Sequence, residues 1–246
     1  MTMKSYSTAF ILASIALICS STSAQNEASR QQLEQALEQL NGVIKDEPSR
    51  YHHNRAEVLF RLNRFEESVQ DYNAAVRFGW PHDEDSCWER GLAQYYAGAF
   101  RAAQKQFSGY HRVGPLDIEN GLWRLLCIAE VDGIEKARES VLEYSRRVRK
   151  PFPALLEVYL DRGNAEAVLK EATDGISNPQ EITANLFNAY YYLAKYYEIV
   201  DQKELALTHV QEALKHQFPH FMYACAEIDA ERIELNLNSG TPKAKP

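Results

Sequence analysis

Residues 87–115 read CWERGLAQYYAGAFRAAQKQFSGYHRVGP, two amphipathic helical stretches divided at Gly98 and stopped at Pro115. Gly98 falls where a tight inter-helix turn needs a permissive backbone, and Pro115 cannot continue the second helix. Taking Gly91 as a reference, Ala103 follows twelve residues on, Phe107 sixteen on and Tyr110 nineteen on. Small residues on facing helices let two backbones approach closely, and a large apolar residue then fills the seam.

The same ruler fits three other segments. From Ala56 it gives Ser68, Tyr72 and Ala75; from Leu125, Ala137, Val141 and Tyr144; from Ala194, Ala206, Val210 and Ala213. The references fall 35, 34 and 69 residues apart, close to one, one and two lengths of the tetratricopeptide (TPR) period of about 34. The pattern resembles that consensus, with Asn54-Arg55-Ala56 to Tyr72 a second good copy. The expected fold is all-α, a TPR-type superhelical solenoid of eleven or twelve helices paired antiparallel, without sheet. Gln31 to Lys45 reads as a lone helix ending before Pro48, and Phe152 to Ala172 as a short pair turning at Gly163-Asn164. Pro219 to Leu235 reads as a closing helix with Pro219 in its first position, where a missing N–H is tolerated.

Composition agrees. Of 246 residues 45% are hydrophobic, and only 11 are Gly and 9 Pro, which favours helices over the many turns of a β protein. With 27 basic against 34 acidic residues the net charge is −7, interleaved along the chain. Nucleic-acid binding through phosphate neutralisation is excluded on that balance.

The first 24 residues read as a signal peptide. Lys4 is followed by an apolar run from Ala9 to Cys19 broken only by Ser14, with Thr22 and Ala24 at the −3 and −1 positions before Gln25. That run is shorter than the roughly 20 apolar residues of a membrane span. The expected organisation is a leader over 1–24, a repeat domain over 25–237 and a disordered tail over 238–246, in a periplasmic or secreted protein. Lipidation at Cys19 fits less well, because Ile18 stands where Gly, Ala or Ser is usual.

The second half is similar to bacterial envelope TPR proteins of the NlpI type. Asn188 to Tyr197, followed by Ala206 and Ala213, carries this, with Phe221 to Ile228 resembling that family's closing helix. The resemblance implies an envelope adaptor docking peptidoglycan hydrolases and a processing protease, and it implies a lipid anchor that the Cys19 context does not favour.

First helices of such pairs line a concave binding face. The expected partner-binding groove comprises His53, Asn54, Glu57, Trp88, Tyr95, Trp123, Tyr191 and Lys195, aromatic anchors with polar orienting groups. Trp88 and Trp123, taken singly, fit a helix core somewhat better than a groove, since large aromatics at helical spacing usually are core. Replacing Tyr191 and Lys195 together is expected to release partners and leave the fold intact. A carboxylate clamp needs a set of Lys, Asn and Arg, of which only Asn54 and Lys195 match.

No catalytic motif is present: no Gly-x-Ser-x-Gly, no phosphate loop, no His-Glu-x-x-His. The histidines His52, His53, His209, His216 and His220 lack a zinc spacing, and Cys87, Cys127 and Cys225 read as buried thiols. Neither a cofactor nor a metal is expected. The leading reading is an exported adaptor or scaffold for protein or peptide partners. A second is a structural homo-oligomer paired through Tyr190-Tyr191-Tyr192 and Tyr196-Tyr197; an enzyme with a site of scattered residues is a distant third.

Overall fold

A computed structural model describes residues 23–144 and 149–239. The expected leader with Cys19, and residues 240–246 of the expected tail, lie outside the described residues. Among those described there are twelve α-helices, one 3-10 turn and no strand. They fall into two compact units, one up to Ala97 and the other from Gly98.

The first unit holds α1 (Ser23–Val43), α2 (Pro48–Arg61), α3 (Phe65–Arg77), the 3-10 turn Glu84–Ser86 and α4 (Trp88–Tyr96). Pro48 opens α2 in a first-turn position that needs no donor. Leu37 and Leu40 of α1 pack on Val58, Leu59 and Leu62, so the lone first helix covers an apolar face that α2 could not leave in water. At the α2–α3 seam Ala56, Ser68, Tyr72 and Ala75 are all fully buried. Ser68 Oγ donates to the Ala56 carbonyl at 2.7 Å, a bond short enough only because both side chains are small. The turn between them places Asn63 at φ +61°, a left-handed conformation that asparagine tolerates.

The second unit runs through α5 (Phe100–Val113), α6 (Ile118–Asp132), α7 (Ile134–Glu139), α8 (Phe152–Tyr159), α9 (Ala165–Thr173), α10 (Pro179–Ile199), α11 (Lys203–Leu214) and α12 (Phe221–Ser239). Ala194, Ala206, Val210 and Ala213 are buried at the α10–α11 seam as the ruler requires. Gly98 has φ +73°, and α5 ends at Val113 just before Pro115, both as the sequence implied.

Three local expectations are corrected. The Leu125 copy of the ruler fails after Ala137, because α7 has only six residues and Val141 and Tyr144 lie beyond it. Tyr144 instead comes back onto α6, where a Cβ on Gly121 would sit 1.6 Å from its hydroxyl; glycine there makes room for the phenol. Between α8 and α9 the left-handed residue is Asp161, φ +58°, rather than Gly163. Asn164 caps α9 by accepting the Ala167 N–H at 2.9 Å. Finally α12 begins at Phe221, not at Pro219, with His220 Nδ1 accepting from the Met222 N–H at 3.3 Å. That helix continues through Asn238 and Ser239, past the expected start of the tail.

Ser68→Leu is expected to force α2 and α3 apart and to cost about 1–3 kcal/mol, the usual penalty for overpacking a filled seam. Ser68→Ala should cost distinctly less. Urea unfolding followed by circular dichroism measures both, and equal midpoints would show that close approach is not what the seam requires.

Candidate functional site

The eight groove residues separate into two environments. In the first unit His53, Asn54, Glu57 and Trp88 are half-buried on α2 and α4, while Tyr95 is buried. In the second unit Trp123, Tyr191 and Lys195 are all within 2% of complete burial. These three are interior residues, and their expected place in an open groove is corrected.

The reason is two sets of polar contacts, one joining α6 and α10 and the other joining α10 and α12. Trp123 Nε1 donates to the Tyr192 hydroxyl at 2.8 Å, and that hydroxyl donates to Glu119 at 2.6 Å. Tyr159 donates to the Tyr192 carbonyl at 2.9 Å. Tyr191 donates to Asp229 at 3.1 Å. Lys195 Nζ donates to both Glu198 and Asp229 at 3.1 Å, and lies 5.7 Å from the Trp123 ring centroid. Arg232 binds Glu198 at 2.7 Å and Asp229 at 2.7 Å. Two cations thus meet two carboxylates. Burial by itself would lower the Lys195 pKa, but Asp229 and Glu198 outweigh it and raise the value. The ammonium therefore stays charged at neutral pH, and its stabilisation is lost only as pH rises through that raised value. Helical periodicity puts Lys195 on the face of α10 that looks like a groove; α12 closes over that face.

Of the five tyrosines expected on a self-pairing surface, Tyr191 and Tyr192 are corrected to the interior, while Tyr190, Tyr196 and Tyr197 stay half-buried. Tyr191 and Tyr192 are wholly buried, and Tyr190 stacks on His216 with ring centroids 5.7 Å apart. His209 and His216 are taken up against tyrosines of α10, His209 lying 4.8 Å from the Tyr197 ring. His220 serves α12 as described.

The groove residues that stay accessible are in the first unit. The loop after α3 carries Phe78, 57% exposed, and Trp80, 45% exposed, with Gly79 between them at φ +86°. Phe78 stacks on His52 at 5.6 Å, and Trp80 meets His53 edge-on at 6.1 Å. His52 in turn is fixed by Asp71 at 2.8 Å, and Asp71 is gripped by Arg55 through two bonds of 2.6 and 2.7 Å. Arg55 also reaches Asn41 of α1 at 2.7 Å. The rigid part of this surface is therefore braced from three helices, with Glu57 held by Arg61 at 3.0 Å along its edge. Phe78 and Trp80 were absent from the sequence-derived groove because they lie in the connecting loop and not at helical spacing.

Cys87 precedes α4, and burial pushes its thiol up to about 12, with Glu89 adding to the shift. His53 Nε2, a Cys87 sulfur and a Glu89 carboxylate oxygen lie within 4.8 Å of one another. No short spacing announces this cluster, because its histidine and its cysteine stand 34 residues apart.

Among the described residues the fold is all-α, built of helix pairs with small residues at their seams, and the first unit presents a surface of aromatic and polar side chains. No family model matches the chain. It is similar to the lipoprotein NlpI homolog of Haemophilus influenzae, 25% identical over 134 residues, which make up 51% of this chain and 42% of that protein. The match thus spans less than half of that relative's length. A tetratricopeptide repeat protein from Parabacteroides merdae superimposes over 89% of this chain and 91% of its own, with 17% identity and a TM-score of 0.43.

Lys195→Ala is expected to lower stability by about 3–5 kcal/mol, since it strips a partner from buried carboxylates. A thermal melt reads this directly. An unchanged melting temperature would return Lys195 to the surface, where the sequence first placed it.

Proposed function

We propose that the protein is a non-catalytic adaptor that binds protein or peptide partners through the accessible face of its first unit. The observation carrying this is the pair of solvent-facing aromatics, Phe78 and Trp80, set against the His52–Asp71–Arg55 contacts that brace α2 and α3. Large apolar side chains seldom stay exposed side by side unless they meet something, and aromatic anchors ringed by polar groups are the usual centre of a protein interface. Similarity to an NlpI homolog supports the same reading, as do helix pairs of a type used for protein recognition.

The leader pattern around Lys4, the apolar run to Cys19 and Ala24 supports export, and the relative's description as a lipoprotein agrees with an envelope location. Among the described residues no helix is long and apolar enough to cross a membrane. Envelope hydrolases or proteases are the partner class that the NlpI likeness brings forward.

Trp80→Ser with Glu57→Lys should abolish capture of crosslinked partners from an envelope fraction while leaving the circular dichroism melt within the error of wild type. Leu205→Ser, at an exposed position of the second unit, should leave capture unchanged. Full capture by the first variant would move the binding surface away from α2 and α4.

A further inference from the structure

We propose that the first unit binds a zinc ion through His53 Nε2, Cys87 Sγ and a Glu89 carboxylate oxygen, with water in the fourth position. Zinc takes nitrogen at about 2.0–2.1 Å, carboxylate oxygen at about 2.0–2.2 Å and thiolate at about 2.3 Å, so the edges of its tetrahedron run to about 3.3–3.8 Å. The His53–Glu89 separation is 3.8 Å, already such an edge. All three ligand atoms lie within 4.8 Å of each other, so shifts of about 1 Å close the set around a metal.

The donor types choose the ion. An imidazole and a thiolate disfavour calcium and magnesium, which take oxygen, and the mixed nitrogen, sulfur and oxygen set suits zinc. Charge also balances: a neutral imidazole, a thiolate and a carboxylate neutralise a dication. On binding, the Cys87 sulfur gives its proton to solvent and takes the metal in its place. Cys87 immediately precedes α4, whose first-turn N–H groups offset only part of the burial and Glu89 repulsion that hold the free thiol at about 12, so the thiolate forms as the metal displaces its proton. The His53 and Glu89 side chains are each about one-fifth exposed, which gives the ion and its water a way in.

A second observation points to a missing ligand. Tyr72 is wholly buried and its hydroxyl has no hydrogen-bond partner. Its ring stands edge-on to His53 with centroids 5.3 Å apart, and burial first, then Glu89, Glu57 and Cys87, push the phenol well up. A buried hydroxyl left unsatisfied in a tight seam is unusual; a zinc-bound water beside His53 supplies what it lacks. The metal would then tie α2 to the start of α4, next to the face carrying Trp80.

The test uses the full chain, stripped with a chelator, kept reduced and titrated with cobalt(II) as a zinc surrogate. One cobalt per chain with an intense thiolate-to-metal charge-transfer band, discharged by added zinc, is the expected result. Cys87→Ser should erase the band, and Cys127→Ser should leave it. His53→Gln and Glu89→Gln, at partly exposed positions, should keep the fold by circular dichroism and weaken binding by at least about tenfold. Absence of the band in the wild type, its survival in Cys87→Ser, or unweakened binding in the His53 and Glu89 variants overturns the proposal. Should Cys87→Ser not fold, the His53 and Glu89 titrations decide it alone.

Discussion

Close approach of antiparallel helices is the constraint on which the rest depends. Where Ala56 faces Ser68 and Ala75, and where Ala194 faces Ala206 and Ala213, two backbones come near enough for the apolar residue between them to be buried completely. Tyr72 and Val210 fill these seams. Dispersion contacts are individually weak, and only a seam without voids sums them to a useful stabilisation. The helices are short, several with fewer than ten residues, and helices of that length are marginal in water without such packing. Secondary structure here is thus maintained by the seams more than by propensity.

The two units handle polar groups in opposite ways. The second sets the buried Lys195, Glu198 and Asp229 with the half-exposed Arg232 between α10 and α12, and holds a separate Trp123–Tyr192–Glu119 chain of hydrogen bonds beside them. Such a set gives little net stability over an apolar core, yet it tolerates no missing member. It fixes the register of α10 against α12, since a one-residue slip would strand Lys195 among apolar neighbours. In the first unit, Asp71 collects Arg55 and His52 at the margin of the seam, where water still reaches. The outcome is a braced but open surface, and the exposed aromatics Phe78 and Trp80 sit upon it.

Much of the candidate site was illegible beforehand for a single reason. Periodicity identifies the face of a helix that is not used against its own partner, but it does not say whether a later helix covers that face. Lys195 and Tyr191 share such a face of α10, and α12, arriving about thirty residues later, seals it. Trp123 was ambiguous on the same ground. His53, Asn54, Glu57 and Trp88 occupy the corresponding faces of α2 and α4 and stay accessible. Phe78 and Trp80 escaped notice because loops have no period to read.

The sequence by itself determined the helix pairs, their period near 34 residues, the small residues of the seams and most of the turns, because these are local requirements of backbone conformation and side-chain volume. It also determined the net charge of −7 with acidic and basic residues interleaved along the chain. Only the tertiary structure decided that Lys195 is buried, that Tyr144 returns to Gly121, and that His53, Cys87 and Glu89 converge. Each of these depends on which side chains meet across elements far apart in the chain, and burial and coordination are properties of that meeting, not of any one segment.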